Sequence, residues 1–331
     1  MNFQVPLPKI QDSPKMSLQD QVFLIGSCFT EHMSQRLKQS KLHVLSNPHG
    51  ILFNPLSIVH SLKQYLENGQ VKEEELFYMN EIWNHWDFHS VFSGMNAADV
   101  LENMNESIRQ ASQFLLEADW LIITLGSAFQ YSLQPNAGFD RERLEVANCH
   151  RAPAAYFEKR LLEISEMKTA FQSFFEALKN RNPNIKILFT LSPVRHIREG
   201  LIENNRSKAR LMELIHFFTE SQSQNMFYFP AYEIIIDVLR DYRFYDLDMV
   251  HPNYAATQFV WEQFIGHYFE VDDQQLIAKI KEVDTAFKHR ARFPESQQHV
   301  KFKENMVKKI QQLLQQCPYL DFAEELQYFN Q

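Results

Sequence analysis

Two short stretches carry residues that could do chemistry together. Asp248-Met249-Val250-His251 stands just ahead of a helix-like run at 254–264. A carboxylate three residues before a histidine in a turn can accept the imidazole Nδ1–H. That bond sets the tautomer and leaves Nε2 to take a proton from a nucleophile. Pro252 keeps His251 out of the helical region, and Asn253 can cap the helix that follows. Near the other end of the chain, Gly26-Ser27-Cys28-Phe29 sets a hydroxyl and a thiol side by side. Unpaired N–H groups and positive potential at a helix N-terminus would favour the anion of either nucleophile, or a developing oxyanion. The same residues also suit a plain turn, with Ser27 as N-cap and Cys28 as a small buried side chain.

An alternation of strands and helices would bring the two stretches together. Apolar runs at 21–25, 41–45, 120–125, 185–191 and 226–229 have the length and β-branched content of buried strands. Between them, helical spacing recurs at Phe29, Met33 and Leu37, then at Ile58, Leu62 and Leu66 behind Asn54-Pro55, and across 99–118, 155–180 and 207–218. Five such strands predict a parallel sheet with helices on both faces, a three-layer α/β/α sandwich, because parallel neighbours need crossover connections. Ligands in such sheets sit beyond the carboxyl ends of the strands. The expected organisation is an extended segment at 1–18, the α/β domain at 19–270 with an aromatic insertion at 75–94, and a helical extension at 271–331. The extension is Lys- and Gln-rich, with apolar spacing at Ile277, Ile280 and Phe287 and again at Val307, Ile310 and Leu314.

Composition narrows the function. With 331 residues, 45% of them hydrophobic, the chain can bury a large core, which excludes disorder. A net charge of −8 argues against nucleic acid or an anionic membrane as partner, and the basic cluster at Lys288, His289, Arg290 and Arg292 suits a solvated face. Three widely spaced cysteines do not form a disulfide framework and should be reduced. Residues 1–15 hold three prolines and no apolar core of a signal peptide, so a cytoplasmic location is expected. Only 8 residues are glycine, yet Gly26, Gly50 and Gly126 each follow one of the first three strands.

Two more candidate groups lie in loops. In Trp83-Asn84-His85-Trp86-Asp87-Phe88-His89, an extended chain would put His85, Asp87 and His89 on one face, a set that suits zinc. The preferred alternative is a hydrogen-bonded lid with Trp86 and Phe88 packed inward and Trp86 and His89 able to face a substrate. Ser192 to His196 follows the fourth strand, where Arg195 could bind an anionic group and His196 line a pocket.

IGSCFT (25–30), NPHGILFNP (47–55), VANCH (146–150), LSPVRH (191–196), FPAYEI (229–234) and DYRFYDLDMVHP (241–252) together resemble the GSCFA-domain proteins, a group allied to the SGNH/GDSL hydrolases. The resemblance runs over about residues 20–270. It implies a flavodoxin-like α/β/α sandwich and a serine esterase that removes an acyl group, such as acetyl, from a small-molecule or carbohydrate ester, with no metal or organic cofactor. By that resemblance Ser27 is the nucleophile, His251 the base and Asp248 its orienting partner. Aligning Gly26-Ser27-Cys28 on Gly-Asp-Ser would instead make Cys28 the nucleophile. The implied oxyanion hole uses the N–H of Ser27 and of Gly50. Its third donor would fall on Ala128, which has none, so Ser127 or Asn148 must substitute or the hole has two donors. The remaining alternatives are an acyltransferase, a binding protein on a decayed hydrolase fold, and a metal-dependent hydrolase built on His85, Asp87 and His89. Nothing in the sequence sets the oligomeric state.

Overall fold

The computed structural model describes residues 5–139, 141, 143–220 and 225–330; positions 1–4 of the N-terminal segment and Gln331 of the extension lie outside them. In chain order the strands are β1 (Gln21–Gly26), β2 (His43–Ser46), β3 (Phe77–Met79), β4 (Ile82–Asn84), β5 (Trp120–Leu125), β6 (Phe129–Leu133), β7 (Glu145–Val146), β8 (Phe157–Leu161), β9 (Lys186–Leu191) and β10 (Met226–Phe229). The helices are α1 (Cys28–Gln39), α2 (Pro55–Leu66), α3 (Ala97–Glu117), α4 (Ile164–Arg181), α5 (Leu201–Glu220), the short α6 (Ala231–Glu233), α7 (Tyr254–Tyr268), α8 (Val271–Lys288), α9 (Gln297–Gln316) and α10 (Ala323–Asn330).

Five strands form one parallel sheet in the order β10-β9-β5-β1-β2. The central strands are buried along nearly their whole length because helices cover both faces. Successive residues alternate between two cores. Phe23, Ile25, Leu121, Ile123 and Phe189 pack with α2 to α5, while Val22, Leu24, Trp120, Ile122 and Leu188 pack with α1, α7 and the extension. The architecture is the expected three-layer α/β/α sandwich. Its strand order reverses between β1 and β5, and a crevice at such a switch point is where ligands bind in this class of sheet. Asn54 caps α2 with Pro55 at its first position, and Asn253 caps α7, so both helices start where their local sequence requires.

Three differences from the sequence reading concern local pairing. The helix expected over 155–180 begins only at Ile164; before it, β8 pairs antiparallel with β6, which also pairs with β7. Residues 157–161 are short and half-exposed, and cross-strand bonds to β6 outweigh their helix propensity. The aromatic insertion contains the hairpin β3–β4. Strand β2 is displaced toward Ser46 relative to the 41–45 run. Residues 271–330 form helices, as their spacing predicts, and α8 and α9 contribute Ile277, Ile280 and Ile310 to the core on the α1 side. Among the described residues no helix is long and apolar enough to cross a membrane.

Candidate active site

The site is built at the carboxyl edge of the sheet, at the reversal between β1 and β5. Gly26 has φ +143°, and a Cβ there would stand 2.1 Å from the Thr124 carbonyl oxygen, so only glycine lets β1 end against β5 in this way. Ser27 follows as N-cap of α1 but makes no side-chain cap bond. It is 1% exposed, its Oγ has no hydrogen-bond partner among the described residues, and its N–H donates to Thr124 O at 3.2 Å. Cys28 is the first residue of α1 and half-buried. Burial is the largest influence on its thiol and leaves it above the ordinary value, although the charge of Lys208 and the N–H groups of Cys28 and Phe29 pull it down.

Asp248 and His251 meet as their spacing predicts. Nδ1 of His251 lies 2.6 Å from Asp248 Oδ2, and Asp248 Oδ1 accepts the N–H groups of His251 at 3.0 Å and Val250 at 2.9 Å. These bonds, the backbone N–H of His251 first, hold the carboxyl down at about 2. Both side chains are about half-exposed. The turn is tied to the loop after β9 through Arg195 N–H to Val250 O at 3.5 Å. The charge of His251 is also felt by His32, one turn past Cys28 on α1, although burial is the main reason that His32 resists protonation. The helix that follows the dyad packs on α1, with Arg36 over the Tyr254 ring at 5.4 Å and 3.4 Å from Thr257 Oγ1. The expected bond from Ser27 to His251 is not formed, since Ser27 Oγ is enclosed without a partner.

The backbone N–H groups of the implied oxyanion hole are occupied. Besides the Ser27 N–H, the Gly50 N–H donates to Asn47 O at 2.7 Å. Gly50 adopts φ +76° and a Cβ there would meet His89 Cβ at 2.3 Å, so this glycine admits the insertion rather than a substrate oxygen. Ser127 is buried with Oγ 3.4 Å from Ser207 Oγ and accepting the Phe129 N–H, and its own N–H donates to Phe53 O. Asn148 Oδ1 accepts the His150 N–H, and its backbone N–H donates to Trp86 O. Arg195 lies over the rings of Tyr245 (4.6 Å) and Tyr242 (5.9 Å), and His196 meets Phe53 edge-on at 5.4 Å.

Within the insertion, the candidate metal set does not assemble. Asp87 is buried and bound by Arg143 and by Arg141 at 3.1 Å, which hold its carboxyl down at about 2 against the opposing effect of burial. His85 Nδ1 accepts the Asp87 N–H, and His89 Nδ1 accepts the Val91 N–H. Among the described residues no group of three or more His, Cys, Asp or Glu side chains is placed to hold a metal. Trp86 stacks on Phe77 with ring centres 3.9 Å apart and is buried, so it is part of the insertion's own core and does not line a substrate site. Phe88 is packed inward, as expected, against His49.

A family model described as the GSCFA family matches residues 21–264, and one described as GSCFA domain protein, C-terminal domain, matches 280–331. The chain belongs to the GSCFA family. No curated protein matches it significantly.

Two residues in this GSCFA-family site escaped the sequence reading. Asn47, at φ +47°, accepts the Gly26 N–H at 2.9 Å and donates to Glu31, joining the ends of β1 and β2 to α1. Lys208 is fully buried, and its Nζ donates to Gly126 O and Ser192 O, each at 2.7 Å. Burial pulls its ammonium down to about 7. A signal for Lys208 existed: it falls on the apolar stripe of α5 with Leu211, Leu214, Ile215 and Phe218, where a lysine is out of place.

Proposed function

We propose that the chain cleaves acyl esters through a covalent acyl-enzyme. In this reading Cys28 is the nucleophile, His251 the acid–base and Asp248 the group that orients it. The observation that carries it is the 2.6 Å Asp248–His251 bond in the turn that leads into α7, a helix whose first turn meets α1 through Arg36. A carboxylate on Nδ1 leaves Nε2 as the proton acceptor. The sulfur attacks the ester carbonyl carbon while its proton passes to Nε2. The tetrahedral intermediate then expels the alcohol, which takes that proton, leaving a thioester. Water adds to the thioester with His251 again accepting a proton, and the acid leaves as the thiol is restored.

Cys28 replaces Ser27 in this role for geometric reasons. Ser27 is enclosed with its hydroxyl unpartnered, whereas Cys28, the first residue of α1, is only partly buried and so open to a substrate. The resemblance of its motifs to SGNH hydrolases implies the same dyad, and a small-molecule or carbohydrate ester, such as an O-acetyl sugar, is the substrate class proposed. An acyl acceptor other than water would make the same chemistry a transfer.

Adduct mapping tests the reading. Iodoacetamide should modify Cys28 and abolish turnover of short acyl esters, and Cys28→Ala and His251→Ala should both lose that turnover. A fluorophosphonate adduct on Ser27 that disappears in His251→Ala would return the nucleophile to Ser27. Absence of turnover with every acyl ester tried, despite an intact fold, would overturn the enzymatic reading. The enclosed Ser27 hydroxyl would then favour the second reading, a ligand-binding protein on a hydrolase fold.

A further inference from the structure

The segment that follows β9 joins the two halves of the site. Ser192 donates its N–H to Leu125 O at 2.9 Å, which fixes the segment to the end of β5. Arg195 then meets the dyad turn through its N–H to Val250 O at 3.5 Å, next to His251. The residue after it reaches the nucleophile turn. The His196 ring meets Phe53 edge-on at 5.4 Å, Phe53 O accepts the N–H groups of Gly126 and Ser127, both at 2.9 Å, and a Cβ on Gly126 would stand 3.2 Å from Ser27 Cβ. Arg195 and His196 therefore bridge the two turns that the proposed reaction brings to one substrate.

The Arg195 guanidinium is held without being neutralised. It is half-buried and lies over Tyr245 at 4.6 Å and Tyr242 at 5.9 Å. Tyr245 is itself fixed, being buried and bridged to Pro252, the residue after His251. Ring faces attract and order a guanidinium while leaving its N–H donors unused. Among the described residues no carboxylate lies within ion-pair distance of it, and two acids of the adjoining turn are engaged elsewhere, Asp248 by His251 and Asp241 by Arg243. The Tyr245 hydroxyl, also buried, has no partner among the described residues. A planar cation set on rings with its donors unused matches the fork geometry of a carboxylate or phosphate.

We propose that Arg195 is a substrate-binding residue that selects esters bearing a second, anionic group, a carboxylate or a phosphate. This deepens the ester-cleaving reading and rests on it. The guanidinium takes the oxyanion in a two-pronged contact while Cys28 and His251 act on the ester. The substrate class narrows from any small-molecule or carbohydrate ester to an acidic one, such as the acetyl ester of a sugar acid or of a sugar phosphate. A net charge of −8 does not draw such an anion in from a distance, so the selectivity arises from contact at this residue.

Phenyl acetate, 4-acetoxybenzoate and 4-acetoxyphenyl phosphate share an acyl group and a ring and differ in charge. In the wild type, kcat/KM should be at least about tenfold higher for one of the two anionic esters than for the neutral one, with the gain in KM. Which anion gains more separates a carboxylate substrate from a phosphate. Arg195→Met should remove the preference, and Arg195→Lys should keep part of it. Arg198→Met, which removes an exposed charge three residues on, should leave the ratio unchanged. A wild type without preference for either anion, or an Arg198→Met ratio that falls as far as that of Arg195→Met, would overturn the proposal. If Arg195→Met does not fold, Arg195→Gln, which keeps N–H donors without charge, is measured in the same way. Calorimetric titration with the products 4-hydroxybenzoate and 4-hydroxyphenyl phosphate reads the same contact without turnover. A chain that binds them through Arg195 but cleaves no ester keeps the anion site and loses the proposed function. One that cleaves all three esters through Cys28 with equal kcat/KM does the reverse, and one that neither binds the products nor cleaves an ester loses both.

Discussion

The aromatic insertion and the carboxyl edge of the sheet both bury polar and ionisable side chains, and they treat them in opposite ways. In and beside the insertion the buried ionisable groups are compensated. Asp87 has Arg141 and Arg143, and His49, stacked on Phe88 of the insertion, receives the Tyr65 hydroxyl at Nδ1 (2.5 Å) and meets Gln64 Oε1 from Nε2 (2.9 Å). At the edge, Lys208 has only carbonyls, and the hydroxyls of Ser27, Thr30, Thr124 and Thr190 are buried without partners among the described residues. A satisfied buried network rigidifies a fold, whereas an unsatisfied one costs stability and survives where something else needs it. The difference separates two regions that look equally rich in chemistry when only residue types are considered.

Substitution should separate them in kind. The largest effect is expected at the edge: Cys28→Ala or His251→Ala should lower ester turnover by on the order of 10⁴-fold, with the melting temperature nearly unchanged. Asp87→Asn should do the reverse, costing about 3–5 kcal/mol in denaturant unfolding because two arginines lose their buried partner, while the folded protein keeps its Cys28 alkylation rate. Equal effects of both substitutions on turnover and stability would dissolve the contrast.

Titration offers a finer division. Burial holds His49 at about 3, against an ordinary value of 6.5. Between those values the unfolded chain carries a proton that the folded chain refuses, so stability should fall on acidification across that window, and His49→Asn should flatten the slope. Lys208 is held at about 7 against an ordinary 10.5. The unfolded chain again binds the extra proton, so stability should rise from pH 7 toward pH 10.5, by up to about 1.4 kcal/mol per pH unit, and Lys208→Met should lose that rise. Urea midpoints measured across pH check both. The smallest effect is expected for Ser27→Ala, which removes a partnerless buried hydroxyl and should change stability by less than about 1 kcal/mol. A larger loss would reveal a bond to Ser27 Oγ in solution and reopen its candidacy.

Local pattern was enough for the five parallel strands, the caps at Asn54 and Asn253, and the Asp248–His251 bond. Each depends on residues within a few positions of one another: apolar runs of strand length, a side chain within reach of the next turn, a carboxylate three residues before an imidazole. Residues 157–161 were different, since FEKRL becomes a strand only when β6 lies beside it. The partners of Asp87 come from 54 and 56 residues away, which turned a possible ligand set into a core ion cluster. Gly50 was expected to approach a substrate and instead makes room for His89, 39 residues on. Likewise the enclosure of Ser27 and the partial exposure of Cys28, adjacent in the chain, follow from how β1 packs against β5. Lys208 acquires its significance only because α5 delivers it to the ends of β5 and β9. Spacing along the chain can place a bond between near neighbours; burial and charge compensation are sums over everything that surrounds a group, and only the folded chain supplies those terms.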